Sequence, residues 1–213
     1  MIYLHYSPST ASMAPHILLE ELAVPYELVL INKEEGELDS PAYRKLNPNG
    51  LIPVLRDDDL VLYETAAICL HLVDRFPAAG LIPSVGTAAR GECYKWLSWL
   101  SATLQSALIV YFYPNRWANT PDAVVQIKAH AEARVLKLLE QLDAQLASGR
   151  DWVLGDRYSV VDIYAMMLCR WTRNFPHRKA RDFAHLAPWL ERVLARPAVQ
   201  RVFAREEIGQ PWV

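Results

Sequence analysis

The sequence predicts an α/β domain followed by an all-helical domain. Strand and helix signals alternate over roughly the first 80 residues, and no convincing strand follows them. Between the two stretches, two prolines and two glycines lie within ten residues, a cluster that is typical of a linker. We therefore place the first domain at residues 1–78, the linker at residues 79–87 and the helical domain at residues 88–213.

Short apolar runs bounded by turn residues predict the elements of the first domain. The predicted strands are residues 2–5, 26–31, 53–56 and 60–63. The predicted helices are residues 15–22, 41–46 and 65–76. In the second domain, apolar residues recur at the i, i+3, i+4 and i+7 spacing of a helix face. These repeats predict long helices near residues 94–108, 123–146 and 159–173 and short ones at 186–194 and 198–203.

Composition excludes several classes of function. The chain of 213 residues is 52% hydrophobic and 22% charged, which supplies enough apolar material for a globular core. A net charge of −2 and a pI near 6.3 give no indication of binding to nucleic acid or to an anionic membrane. No apolar run approaches the roughly 18 residues of a membrane span, and the first residues lack the basic flank of a signal peptide.

Neither the cysteines nor the histidines indicate a metal or redox centre. Cys69, Cys93 and Cys169 are far apart and odd in number, which argues against a disulfide framework or a zinc site and favours a reducing cytoplasm. The six histidines show no metal-ligand spacing. Neither a GxSxG motif nor a phosphate-binding glycine loop is present. We therefore expect a cytoplasmic protein without a metal.

A turn that runs into a short apolar strand is the first candidate binding feature. Residues 47–55 read Asn-Pro-Asn-Gly-Leu-Ile-Pro-Val-Leu, with Pro53 at the strand entrance. A proline there either ends an edge strand or forms a cis bond that shapes a site, and spacing alone favours the trans bond. A cis bond would turn the N–H and C=O groups of Ile52 outward, so that an extended ligand pairs with them like one more strand.

The second candidate feature is the start of the helix that follows. Thr65 is at the expected N-cap position, where its hydroxyl would satisfy a free N–H group. The structural interpretation is a capped helix and nothing more. In the functional interpretation, the free N–H groups and the helix dipole bind a ligand carboxylate, while Glu64 accepts a hydrogen bond from a ligand ammonium. A ligand that ends in an amino acid carries both groups.

The third candidate feature is a hydroxyl-rich turn, which reads Ser-Pro-Ser-Thr-Ala-Ser over residues 7–12. Hydroxyl residues suit a loop and a helix N-cap, which is the structural interpretation. Alternatively, one hydroxyl donates a hydrogen bond to a thiolate and lowers the pKa of the thiol, so that the ligand itself supplies the nucleophile. Tyr6 is a second donor candidate.

The second domain offers one structural motif and one candidate pocket. Ser159 and Asp162 have the spacing of a capping box, with Asp where Glu or Gln is more common, and we assign them a structural role. Aromatic residues are plentiful, and most are expected in the core. Tyr111, Trp117 and Trp171 are the candidates for lining an apolar pocket that faces the first domain.

Taken in order, these segments resemble the cytosolic glutathione transferases over nearly the full length of the chain. The resemblance is carried by NPNGLIPVL, YETAAI, the Pro/Gly linker and GDRYSVVD. It implies a thioredoxin-like first domain with a cis Ile52–Pro53 bond, an all-helical second domain, glutathione as co-substrate and a homodimer. Ile52 would pair with the cysteinyl backbone of glutathione. The residues assigned to glutathione binding are Ser12, Lys33, Leu51, Ile52, Pro53, Glu64 and Thr65.

One departure from the family pattern concerns the thiol chemistry. The segment from Tyr6 to His16 most resembles the bacterial beta-type members, which place a cysteine where this chain has Ala11. A mixed disulfide with glutathione is impossible at that position. Catalysis would then depend on a hydroxyl, as in the serine-type classes.

The hydroxyl that activates the thiol is left open by the alignment. Ser9 and Thr10 match the serines of those classes equally well, Tyr6 is the further donor candidate, and Ser12 fits better as a helix cap. The predicted reaction is conjugation of the glutathione thiolate to a small apolar electrophile.

Two alternatives to this reaction stay open. One is a non-catalytic binding or interaction protein, which would not need the set formed by Ile52, Glu64 and Thr65. The other keeps glutathione but isomerises, dehalogenates or cleaves an ether bond in the second substrate.

Overall fold

The chain forms two compact units. We describe residues 1–147 and 149–213 of a computed structural model. The first unit comprises Met1–Ile82 and Ala195–Gly209, and the second comprises Pro83–Leu194 and Gln210–Val213. The predicted helical domain comprises residues 88–213. The contacts of residues 195–209 instead join them to the first unit.

Four strands of the described chain form a mixed sheet in the first unit. They are β1 (Ile2–Tyr6), β2 (Tyr26–Leu30), β3 (Val54–Asp57) and β4 (Leu60–Tyr63). The order across the sheet is β2-β1-β3-β4. β1 and β2 are parallel, whereas β3 runs antiparallel to both β1 and β4. This sheet confirms the predicted thioredoxin-like α/β domain.

Helices account for most of the remaining structure. The first unit contains α1 (Met13–Leu22), α2 (Pro41–Leu46) and α3 (Thr65–Arg75). The second contains α4 (Ala88–Trp99), α5 (Ser106–Phe112), α6 (Pro121–Leu146), α7 (Val160–Trp171) and α8 (Leu186–Leu194). The chain returns to the first unit with α9 (Pro197–Arg205). The second unit contains no extended strand within its described residues, which confirms the all-helical prediction.

Strand register brings several predicted site segments to one end of the sheet. Tyr6, the last residue of β1, pairs with Leu30 at the end of β2. His5 pairs with Val54 at the start of β3, and Val54 pairs with Tyr63 at the end of β4. The segments that continue from these ends are the hydroxyl-rich turn, the loop with Lys33, the Ile52–Pro53 entrance and the start of α3.

Ion pairs and apolar packing attach α9 to α1. Ile17, Leu18 and Leu19 of α1 are fully buried. Arg196 binds Glu21 through two parallel N–H···O bonds of 2.5 and 2.8 Å, the bidentate geometry that fixes orientation. Arg201 Nε donates to Glu20 Oε2 at 2.6 Å. These contacts explain why a segment so late in the chain belongs to the first unit.

A π-helical segment interrupts the first long helix of the second unit. α4, the π-helical Leu100–Gln105 and α5 follow one another without a break. The hydroxyl of Tyr164 in α7 donates to Gln105 Oε1 at 2.5 Å. The apolar spacing predicted this helix but not its π-helical turn, because such a bulge depends on packing with neighbouring helices.

The predicted capping box at the start of α7 is confirmed. Asp162 Oδ2 accepts from the N–H and the hydroxyl of Ser159 at 2.9 and 3.0 Å. Its Oδ1 accepts from the N–H of Val153 at 2.9 Å and from Trp189 Nε1 at 3.0 Å. Burial raises the pKa of Asp162, and the four donated bonds act in the opposite direction. Asp162 therefore connects a loop and two helices of the second unit.

Candidate active site

The hydroxyl-rich turn is held together by its own side chains. The hydroxyl of Thr10 donates to the carbonyl of Ser7 at 2.6 Å, and the hydroxyl of Ser12 donates to the same oxygen at 3.0 Å. The Ser7 N–H donates to Ser12 Oγ at 3.3 Å. Because a hydroxyl has one proton, the Thr10 proton is already engaged inside the turn.

Ser12 differs from its predicted role as a cap. It occupies the N-cap position of α1, but its hydroxyl makes no capping bond to the helix. The reason is that the hydroxyl turns back into the buried turn and bonds Ser7 instead. Ser12 thus fixes the shape of the turn from a fully buried position.

Ser9 has an unusual backbone conformation. Its φ of 61° lies in the left-handed region, which costs a non-glycine residue roughly 1–2 kcal/mol. The Ser9 N–H donates to Glu206 Oε2 at 2.9 Å. A hydrogen bond to a charged group contributes about 1.5–3 kcal/mol, enough to offset that strain. Strained backbone of this kind concentrates at functional sites.

A buried pair lies beneath the turn. His16 Nδ1 and Glu206 Oε1 are 2.7 Å apart, and both side chains are 0% exposed. The ring of Tyr6 meets the ring of His16 edge to face, with centroids 5.9 Å apart. Burial, followed by the charge of Glu206, raises the pKa of Tyr6. Tyr6 therefore stays protonated at neutral pH and keeps a hydroxyl proton that it can donate.

Sequence reasoning missed His16 and Glu206 as members of this site. A histidine in the otherwise apolar start of α1 was a weak signal. Glu206 lies 190 residues further along the chain and resembles the other charged residues near its end. No local pattern connects the two.

The turn before β3 presents the backbone of Ile52. The Ile52–Pro53 bond is cis, as the resemblance implied. The carbonyl of Leu51, the residue before Ile52, accepts from the Tyr43 hydroxyl at 2.9 Å and from Asn47 Nδ2 at 2.8 Å. These bonds fix the position of Leu51. Within residues 1–147 and 149–213, the N–H and C=O of Ile52 make no hydrogen bond. They are therefore open to an extended ligand.

Gly50 is required in this turn for two reasons. Its φ of 61° is in the left-handed region, where glycine is unstrained. A Cβ at this position would also lie 2.7 Å from Arg44 Cζ. The same guanidinium donates to the Pro48 carbonyl and to Asp39 Oδ1, both at 2.6 Å. A Cβ here would displace the flexible end of the Arg44 side chain from these bonds, so the left-handed backbone is the stronger reason for glycine.

The N-cap of α3 lies one residue before the predicted N-cap. Glu64 occupies the N-cap and Thr65 is the first residue of the helix, so the assignment of Thr65 as N-cap is wrong. The Thr65 hydroxyl instead donates to the Ala11 carbonyl at 3.5 Å, which links α3 to the hydroxyl-rich turn. Glu64 has φ 73° and ψ 111°, and its side chain makes no capping bond. With the Glu64 backbone in this strained conformation, no hydrogen bond joins its exposed carboxylate to the first N–H groups of α3.

Lys33 lies on the loop after β2, at the same end of the sheet. Ile31 N–H donates to the Tyr6 carbonyl at 2.8 Å, so this loop continues directly from the pairing with β1. The Lys33 side chain is exposed. The described contacts place it near the sheet end but not against the other predicted residues.

Aromatic side chains gather in the second unit. Tyr111 is buried and its ring lies 4.1 Å from that of Phe175, centroid to centroid. Phe112 contacts both Tyr111 and Trp171 edge to face, at 5.2 and 6.3 Å. Phe112 is 45% exposed and was not predicted as a pocket residue. Tyr111 and Trp171 are thus connected through Phe112.

Trp117 is separate from this aromatic group. It is 52% exposed at the end of the short helix Pro114–Arg116, and the described ring contacts do not include it. A groove of about 500 Å³ between α5 and α6 is lined by Val110, Ile127 and Arg134, among others. None of the three predicted pocket residues lines that groove.

Comparison with known proteins settles the family. Residues 8–75 match the family model "Glutathione S-transferase, N-terminal domain", and residues 104–197 match "Glutathione S-transferase, C-terminal domain". The chain is 30% identical to glutathione S-transferase GST-4.5 of Xanthomonas campestris pv. campestris, over 97% of this chain and 99% of that protein. The chain belongs to the glutathione S-transferase family.

Solved structures of family members have the same fold. A sphingomonad glutathione S-transferase complexed with glutathione is 30% identical, with a TM-score of 0.83 over 97% of this chain and 100% of that one. A glutathione transferase homologue from Sulfitobacter with bound glutathione is 26% identical, with a TM-score of 0.87 over 96% and 98% of the two chains.

The described residues contain neither a cluster of metal ligands nor a helix that could span a membrane. Within residues 1–147 and 149–213, no three or more His, Cys, Asp or Glu side chains lie together as metal ligands would. In the same residues, every helix is too short or too polar to cross a membrane.

The three cysteines of this transferase are expected to resist alkylation. Cys69, Cys93 and Cys169 are all 0% exposed, and burial raises the pKa of Cys69 and Cys169, which keeps these thiols protonated. We expect iodoacetamide to leave the native protein unlabelled and its activity unchanged, while urea exposes all three thiols. Mass spectrometry before and after unfolding checks this. Rapid native labelling with loss of activity would place a cysteine in the chemistry after all.

Proposed function

We propose that this family member conjugates the thiolate of glutathione to a small apolar electrophile. The observation that carries the proposal is the convergence at one end of the sheet. The register of β1, β3 and β4 brings together the hydroxyl-rich turn, the open backbone of Ile52 and the start of α3. The hydrogen bond from Thr65 to Ala11 links two of these segments directly.

The Ile52 backbone and the start of α3 suit the cysteinyl and γ-glutamyl parts of glutathione. The N–H and C=O of Ile52 pair with the cysteinyl backbone, as an added strand would. The first N–H groups of α3, with the helix dipole, bind the γ-glutamyl carboxylate beside Thr65. Glu64 accepts a hydrogen bond from the ammonium. Leu51 and Pro53 flank the backbone contact of Ile52, and Ser12 supports the turn from beneath. Lys33 is proposed to attract the glycyl carboxylate.

We assign activation of the thiol to Ser9, with Tyr6 as a supporting donor. The Thr10 proton is engaged by the Ser7 carbonyl, whereas Ser9 occupies the strained left-handed position that is typical of functional residues. A free thiol has a pKa near 8.5 and is mostly protonated at neutral pH. Lowering it by two units requires about 2.7 kcal/mol. A charge-assisted hydrogen bond and the nearby N-terminus of α1 supply energy of that order.

The electrophile is proposed to contact the aromatic residues of the second unit. Tyr111, Trp117 and Trp171 stay as predicted, and Phe112 joins them because it is exposed and contacts two of them, Tyr111 and Trp171. These rings favour an apolar, planar substrate. Activity with a chloroarene that carries nitro groups is the natural first assay.

The cytoplasmic location and the homodimer stay predictions as well. Strand β4 is an edge strand with Leu60, Val61 and Tyr63 partly exposed on it, at 41%, 39% and 36%. An apolar edge of this kind favours coverage by a second copy. Sedimentation velocity should then give twice the 24.3 kDa mass of the chain.

Two ligands test whether the site holds glutathione. Calorimetry should detect glutathione binding, and cysteinylglycine, which lacks the γ-glutamyl group, should bind at least about tenfold more weakly. Conjugation of a nitro-substituted chloroarene should follow in the same preparation. If glutathione gives neither heat nor a thermal shift, the non-catalytic alternative is favoured over the transferase.

Neutralising Glu64 should weaken glutathione binding without slowing the chemical step. In Glu64→Gln the ammonium loses its charged acceptor, which predicts a rise in the dissociation constant of about tenfold. The kcat at saturating glutathione should stay near that of the wild type, because Glu64 is assigned no contact with the thiol. Glu27→Gln, an exposed change on β2, is the matched control. Equal affinities in the two variants would remove Glu64 from the site.

A further inference from the structure

The Glu206 carboxylate reaches the active-site turn from the end of the first unit. It is the C-cap residue of α9, where its N–H donates to the Val202 carbonyl at 2.8 Å. Its side chain is fully buried. One oxygen accepts from the Ser9 N–H at 2.9 Å, and the other lies 2.7 Å from His16 Nδ1. The carboxylate thus joins the turn, α1 and α9.

We propose that Glu206 is the positioning residue of this site, holding the Ser9 backbone in the left-handed conformation that directs its hydroxyl at the thiol of glutathione. The proposal rests on the proposed function. Glu206 acts through the main chain of Ser9 and touches no substrate.

Hydrogen bonds hold both oxygens of the Glu206 carboxylate. With one oxygen bonded to Ser9 and the other to His16, the carboxylate cannot rotate without losing a bond. Its backbone is held by α9, which Arg196 ties to Glu21 on α1. The bond from the Ser9 N–H to Glu206 thus opposes the tendency of a non-glycine residue at φ 61° to return to negative φ, a change that would move its side chain.

The charge of Glu206 is not what assists the reaction. A buried negative charge near a thiolate opposes its formation, just as the charge of Glu206, after burial, raises the pKa of the neighbouring Tyr6. Donation from His16 Nδ1 withdraws part of that charge from the turn. Titratable groups around Glu206 and its partner His16 include Tyr6, Glu20, Tyr26, Arg205 and Glu207. The useful contribution of Glu206 is therefore geometric.

Two substitutions separate geometry from charge. Glu206→Gln retains length and removes charge: its oxygen accepts from Ser9, and its amide donates to His16 in the other tautomer. Glu206→Asp retains charge but is one methylene too short to reach both partners. If Glu206 acts by position, the glutamine variant rescues function and the aspartate variant does not.

The test is the titration of bound glutathione, followed by the ultraviolet absorbance of its thiolate. Glu206→Asp and Glu206→Ala should raise the pKa of the bound thiol by about one unit and lower kcat/KM at pH 7 about tenfold, with KM for glutathione within about twofold. Glu206→Gln should titrate at or slightly below the wild-type pKa, because it keeps the bond to Ser9 and removes a charge that opposes ionisation. Glu207→Gln, at the adjacent exposed residue, is the control for a change of charge.

The outcomes distinguish this inference from the proposed function. If the wild type does not lower the thiol pKa of glutathione, the proposed function fails. If the wild type lowers it and Ser9→Ala removes the effect, but Glu206→Asp titrates like the wild type, only the positioning role is overturned. If Glu206→Ala does not fold, the aspartate and glutamine variants decide alone. A glutamine variant as impaired as the aspartate variant also overturns the inference.

Discussion

Replacing Ser9 by alanine is expected to lower kcat/KM for glutathione conjugation at pH 7 by about 10- to 100-fold. The variant loses the hydroxyl donor to the thiolate but keeps the Ser9 N–H that binds Glu206. Because less of the bound thiol is ionised, the pH dependence of kcat/KM should shift upward, and the rate should recover at alkaline pH. Steady-state kinetics from pH 6 to pH 9 measure both effects.

Thr10→Ala is the comparison for this prediction. It removes the bond to the Ser7 carbonyl and should loosen the turn, but it leaves the proposed donor in place. We expect a smaller loss of activity and a measurable loss of thermal stability. If Thr10→Ala shifts the pH profile and Ser9→Ala does not, the catalytic hydroxyl belongs to Thr10.

Replacing Asp162 by alanine is expected to lower the free energy of unfolding by about 4 kcal/mol. The change leaves the N–H groups of Val153, Ser159 and Trp189 buried without their acceptor. Each such group costs about 1–3 kcal/mol, and the contributions are not strictly additive. Urea unfolding monitored by tryptophan fluorescence measures the change.

Asp156→Ala is the matched control for Asp162. It removes an exposed aspartate six residues earlier in the chain, and it should change the unfolding free energy by less than about 0.5 kcal/mol. Similar losses in the two variants would mean that the loss of negative charge, rather than the buried acceptor, determines the effect.

Local signals predicted most of the fold and part of the site. The NPNG turn, the strand after it and the capping box at Ser159 and Asp162 each depend on residues close in sequence, and the structure confirms them. The exact cap residues of the helices could not be predicted in the same way. The hydroxyl of Thr65 suits an N-cap, but Glu64, with its strained backbone, occupies that position.

Long-range contacts could not be predicted in the same way. Glu206 joins Ser9 and His16 across almost the whole chain, and no spacing rule connects residues so far apart. The association of α9 with α1 depends on the ion pair between Arg196 and Glu21. In the sequence, these two residues cannot be told from other charged residues at the surface. The engaged proton of Thr10 was also hidden, since a hydroxyl in a sequence does not reveal its partner. The proposal of Ser9 rather than Thr10 as the donor rests on long-range and side-chain contacts of this kind.

The central claim is that this chain ionises the thiol of glutathione with a hydroxyl and without a cysteine. The most direct test is a spectroscopic titration of glutathione bound to the wild-type protein, compared with Ser9→Ala. We predict a bound thiol pKa about two units below the ~8.5 of a free thiol, returning toward that value in the variant. A bound thiol that titrates like free glutathione, or one whose lowered pKa survives in both Ser9→Ala and Thr10→Ala, would contradict the account.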